Sequence, residues 1–140
     1  MEPTIYLFFK GDCLEAMTHY ADTLGGKVEG VFRNRDAPSP AERMPGGDDM
    51  VMNMMVRLGS TSIMASDNPP DMYDAPKGFR VVVEAPTRDE FARVHAALAG
   101  GAQAVQMPPA ETFWAERFTM FTDRYGTPWM LSYTGSKRMN

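Results

Sequence analysis

Two helical patterns in this chain stop on the same residue pair, Gly25-Gly26 and then, a little over half the chain later, Gly100-Gly101. Each is preceded by one short apolar run and followed by three more. A doubled order of this kind restricts the fold to two similar modules. In the first copy, residues 5–9 read as a strand, and Asp12 is placed as helix N-cap with Glu15 at the capping-box position. Leu14, Met17, Ala21 and Leu24 then recur at helical spacing. Residues 27–34 read as a second strand, and 35–49, with three prolines and Gly46-Gly47, as a mobile loop. Residues 50–58 and 62–66 form a hairpin about Gly59-Ser60.

The order restarts after a proline-rich connector. Residues 79–84 are a strand, and Thr87 caps a helix with Glu90 in the capping box and Phe91, Val94 and Leu98 inward. Residues 102–107, 118–123 and 129–133 supply three more strands. The expectation is an α+β fold of two βαβββ modules, about 4–67 and 78–134, within one domain spanning 1–140. Each module has sheet edges to cover and encloses little core, so a homodimer is expected.

Charge and composition narrow the function. A formal charge of -4 with scattered lysines and arginines leaves no basic footprint, so no nucleic-acid partner is expected. The N-terminus has neither a basic n-region nor a long apolar run, which argues against a signal peptide or membrane anchor. A single cysteine, Cys13, fits a reducing compartment, and the location expected is cytoplasmic.

The chain resembles the vicinal oxygen chelate superfamily of glyoxalases, dioxygenases and bleomycin-binding proteins, in its PhnB-like branch. Carrying the resemblance are Tyr6-Leu7-Phe8-Phe9-Lys10-Gly11, Glu15-Ala16, Leu24-Gly25-Gly26, Glu111-Thr112-Phe113-Trp114, and Thr122-Asp123-Arg124-Tyr125-Gly126-Thr127-Pro128-Trp129. It implies two modules forming a curled mixed sheet around a concave cleft. It also implies, in the metal-dependent members, a divalent ion held from strands one, four, five and eight. At those places this chain offers Ile5 or Tyr6, Ile63 or Met64, Gly78, Phe79 or Arg80, and Met130, none of them a suitable ligand. His19 reads as solvated on a polar helix face, and His95 lies on a helix away from the concave face. No metal and no cofactor are therefore expected. Nor is there the glycine-rich strand-to-helix loop of a methyl-donor site.

For the cleft, alternation places Arg80 and Glu84 on the concave face and Phe79, Val81 and Val83 under the helix. Arg80, balanced by Glu84, is a candidate anchor for an anionic or polar ligand. Trp114 and Trp129 are candidate aromatic walls, Asn53 stands where relatives often carry histidine, and Glu111 is a candidate general base if buried. These six residues are the expected substrate-binding set, with no catalytic residue assigned. The reading that follows is a metal-free binder of a small organic ligand. Two alternatives remain: a divergent isomerase, lyase or transferase using Arg80 with Glu111 or Glu84, and an interaction module with a vestigial cleft and Met50, Met52 and Met54 on a partner surface.

Overall fold

A computed structural model describes residues 1–138. The chain divides into two compact units, Met1–Asp74 and Ala75–Asn140.

The first unit begins with β1 (Ile5–Phe9), in which Leu7 and Phe9 are buried while Tyr6 and Phe8 stay exposed. Helix α1 (Cys13–Leu24) turns Cys13, Ala16, Met17, Tyr20 and Ala21 into the core, an i, i+3, i+4, i+7, i+8 stripe. β2 (Lys27–Arg33), β3 (Val51–Leu58) and β4 (Thr61–Asp67) complete a sheet of order β1-β4-β3-β2, with β1 parallel to β4 and the other pairs antiparallel.

The second unit repeats the plan. β5 (Val81–Glu84), α2 (Arg88–Ala99), β6 (Ala104–Ala110), β7 (Arg117–Thr122) and β8 (Pro128–Tyr133) form a sheet of order β5-β8-β7-β6, with β5 parallel to β8. The Thr87 hydroxyl accepts the Glu90 N–H at 3.1 Å, the N-cap expected there, and Phe91, Val94 and Leu98 are buried. Two four-stranded mixed sheets, each with one helix, make this the α+β fold expected.

The two glycine stops differ in geometry. Gly25 is left-handed at φ 72°, and the Gly26 N–H reaches the Ala21 carbonyl at 2.8 Å. At Gly26 a Cβ would lie 2.7 Å from the Arg57 carbonyl oxygen, so this glycine lets the helix end approach β3 closely. In the second unit Gly100 keeps an ordinary φ of -61° and Gly101 makes the left-handed turn.

Four local expectations need correction. Asp12 makes no side-chain cap bond to α1. Asp67, buried at the end of β4, does that work from a distance: its Oδ1 accepts the N–H groups of Gly11 (2.9 Å) and Cys13 (3.0 Å), and its Oδ2 that of Val51 (3.0 Å). Asp12 Oδ1 is left buried without a partner, and burial, with Asp67 nearby, raises that carboxyl above its ordinary range.

The second correction concerns the loop after β2, which is built around a polar hub. Buried Asn34 donates from Nδ2 to the carbonyls of Met44 (3.0 Å) and Gly47 (2.9 Å) and accepts the Met44 N–H at 3.2 Å. Two short 3-10 turns, Asn34–Asp36 and Pro40–Glu42, occupy the same stretch. Third, β5 begins at Val81 rather than at residue 79, because the chain turns at Gly78 (φ 85°) and Phe79 is left 45% exposed instead of lying under the helix. Fourth, β6 continues through Pro108 and Pro109: successive N–H positions point to opposite sides of a strand, so the free edge accommodates one missing donor and the irregular pairing between Met107 and Ala110 the other.

His95 sits half-buried on α2, stacked on Phe91 (centroids 6.2 Å apart) and edge-on to Phe121 (6.0 Å). Burial, and secondarily the charge of Arg117, lowers its pKa below the ordinary imidazole value. An unfolded chain with the ordinary value, about 6.5, binds the proton more readily than the folded one. Stability is therefore expected to fall as pH drops through and below that value. Urea melts at mildly acidic and mildly alkaline pH should show this loss, reduced in His95→Gln; an undiminished loss in the variant would assign it to other groups.

Candidate functional site

The helix side of the second sheet is identified by contacts to α2: His95 meets Phe121, and Arg117 lies over the Phe91 ring at 5.8 Å. Alternation then directs Met120 and Thr122 to the opposite face. Trp129 pairs with Phe121 and Val81 on the helix side, while Met130 pairs with Met120 and Val82 on the helix-free side.

At one end of the helix-free face lies a cavity of about 510 Å³, within the usual range for small-molecule sites. The segment entering β5 supplies Pro76, Lys77, Gly78, Phe79 and Arg80 to its lining. β6 contributes Gln106, β7 contributes Thr122, and β8 contributes Pro128 and Met130. Arg80 Nη1 donates to the carbonyls of Phe121 (3.2 Å) and Trp129 (3.3 Å), which holds the guanidinium across two strands. Gln106 Nε2 donates to Thr122 Oγ1 at 3.1 Å, tying β6 to β7 on the cavity side.

Of the six residues expected in a ligand site, the structure places only Arg80 in this lining. Glu84 is four residues further along, roughly 13 Å in an extended chain, too far to balance the Arg80 charge directly. Its carboxylate accepts the Thr134 N–H (2.8 Å) and hydroxyl (3.0 Å), anchoring the chain after β8. Trp129 is fully buried on the helix side and donates from Nε1 to Asp123 Oδ2 at 2.8 Å, so it is core and no cavity wall.

Trp114 packs edge-on to Phe118 (5.2 Å) and Phe113 (4.8 Å), with a turn closed by Thr112 Oγ1 accepting the Ala115 N–H at 3.0 Å. Glu111 is 65% exposed and paired with Lys137 at 2.8 Å. That exposure removes the burial its role as general base requires. Asn53 belongs to the first unit, where its Oδ1 accepts from the Tyr6 hydroxyl at 3.4 Å beside exposed Phe32. Met54 is fully buried, so Met50, Met52 and Met54 do not form one exposed surface.

Sequence reasoning missed Lys77, Gln106 and Thr122. A usable signal lay in Lys77-Gly78-Phe79-Arg80, two cations and an aromatic about a turn-making glycine, which alternation absorbed into a strand.

The donors a divalent ion needs are not present at the expected strand positions. Tyr6 pairs with Met64, and Val82 with Met130. Among the described residues no group of three or more His, Cys, Asp or Glu converges to hold a metal ion. The residues present at those positions do not fit such an ion.

The family model of the Glyoxalase/Bleomycin resistance protein/Dioxygenase superfamily matches residues 5–131. Protein YjdN of Escherichia coli (strain K12) is 33% identical over 135 residues, covering 91% of each chain. The crystal structure of protein PA1353 from Pseudomonas aeruginosa is similar with a TM-score of 0.84 at 39% identity, covering 95% of this chain and 97% of that one. A putative 3-demethylubiquinone-9 3-methyltransferase, PhnB protein, from Bacillus cereus shares the fold with a TM-score of 0.81 at 23% identity, over 95% of this chain and 99% of that one. With the family model spanning nearly the whole described chain and the doubled strand-helix order in place, the protein belongs to the glyoxalase/bleomycin resistance protein/dioxygenase superfamily, the vicinal oxygen chelate fold.

Proposed function

We propose that this protein binds a small organic ligand without a metal, in the cavity on the helix-free face of its second sheet. The observation that carries the reading is the lining: a fixed guanidinium, a lysine, neutral polar groups and an apolar wall, with no His, Cys, Asp or Glu. The family's name already joins enzymes to resistance proteins, and bleomycin-binding members act by sequestering their ligand. A catalytic reading has less support, because Glu84 and Glu111 are held by Thr134 and Lys137 away from the cavity.

The working form proposed is a homodimer in the cytoplasm. Tyr6, Phe8 and Phe32 are exposed on the first unit, apolar surface of the kind a second subunit covers. Among the described residues no helix is long and apolar enough to cross a membrane.

A thermal-shift screen of dialysed protein against metabolites and xenobiotics tests the binding, since a ligand specific to the folded state raises the midpoint. The expected result is a ligand whose shift is the same with and without chelator, on protein that sediments as a dimer. A stoichiometric metal whose removal abolishes the shift would overturn the metal-free reading.

A further inference from the structure

We propose that the cavity selects an oxyanion: a small organic acid whose head sits between Lys77 and Arg80 and whose apolar body lies along Phe79 and Met130. The inference rests on the cavity being a ligand site and adds the class of ligand.

Charge is the first argument. The chain carries a formal charge of -4, yet this lining contains two cations and no carboxylate. Among the described residues five other arginines have a carboxylate partner: Arg35 with Asp49, Arg43 with Asp48, Arg57 with Glu29, Arg88 with Glu116 and Arg93 with Glu90. Among the described residues neither Lys77 nor Arg80 has a carboxylate partner, so positive charge converges on one concavity uncompensated.

Geometry is the second. Two backbone carbonyls hold Arg80 through Nη1, which leaves donors on Nη2 and Nε for a ligand. A guanidinium already fixed loses little further freedom on binding, and its fork matches the two oxygens of a carboxylate or phosphate. Thr122 Oγ1 accepts from Gln106, so its own hydroxyl hydrogen is available to donate.

Calorimetry with naphthalene-2-carboxylate, naphthalene-2-carboxamide and 2-naphthyl phosphate tests the class, with the Met130 methyl resonance, assigned through Met130→Leu, reporting the place. The carboxylate is expected to bind at least about tenfold tighter than its isosteric amide, as hydrogen bonds to a charged group imply, and to weaken as sodium chloride is raised. Lys77→Met should cost the carboxylate several-fold and leave the amide unchanged; Arg80→Met should cost more. Because Arg80 also braces two strands, the exposed Lys77 carries the test free of folding effects. Tighter binding of the phosphate assigns the head to phosphate esters, and weaker binding to carboxylic acids. Equal affinity for acid and amide, unchanged by Lys77→Met, overturns the oxyanion and leaves the cavity as a ligand site. If no probe moves the Met130 methyl, the cavity reading falls and the inference with it.

Discussion

Asp123→Ala is expected to lower the stability of the second unit by about 3–5 kcal/mol, the range for breaking a buried hydrogen-bonded charge. Its Oδ1 accepts the N–H groups of Tyr125 and Thr127, each at 2.9 Å, and its Oδ2 accepts the Trp129 indole N–H at 2.8 Å. Asp123 is 1% exposed, and Trp129 and Thr127 are buried, so water cannot take over these donors. Each donor left unpaired costs roughly 1–3 kcal/mol, a large share of a total stability of about 5–15 kcal/mol. Urea unfolding followed by tryptophan fluorescence measures the loss. Trp129→Phe removes one donor while keeping most of the ring, so its effect should be clearly smaller; a larger effect would mean ring packing, rather than the carboxylate, closes this turn.

The first unit offers a paired test, in which two nearby aspartates should respond in opposite directions. Asp67→Ala leaves the N–H groups of Gly11, Cys13 and Val51 without their acceptor. It is expected to cost about 3–5 kcal/mol. Asp12→Ala removes a carboxylate with a partnerless buried oxygen and should leave stability unchanged or raise it at neutral pH. Burial raises the Asp12 pKa in the folded state, so its charge opposes folding at neutral pH, and stability rises as pH falls through that raised value. Asp12→Ala should therefore flatten that part of the pH profile. Chemical denaturation of the two variants across acidic to neutral pH decides the matter, and a large loss in Asp12→Ala would restore the local cap to Asp12.

The sequence showed the fold through periodicity. Leu14, Met17, Ala21 and Leu24, and then Phe91, Val94 and Leu98, mark helices that the structure contains, and the strand order between them is the observed one. Strand ends were less legible, since alternation cannot see Gly78 turning the chain ahead of Val81. Asp12 was chosen as cap for its position beside the helix, whereas Asp67 reaches the Gly11 and Cys13 N–H groups at the helix start from 56 and 54 residues away, a relation no local pattern carries.

The candidate site was the least legible part. Its lining comes from four separate segments that only strand pairing brings together, and of the expected residues only Arg80 is among them. Tryptophans inside the motifs that carry the resemblance suggested a ligand wall. Yet the Asp123-to-Trp129 run has a structural role here: the acid satisfies the turn's amides and the indole at once.

The hub at Asn34 bears on how such a chain diversifies. The Asn34 N–H bonds the Met50 carbonyl and Arg33 pairs with Val51, so the loop leaves and re-enters its sheet at one closed stem. The side-chain bonds to Met44 and Gly47 are all internal to the loop. A segment closed at its neck behaves as a cassette. Substitutions between the hub contacts can accumulate, or the segment can be exchanged for one of another length, while the strand register of β2 on β3 is preserved.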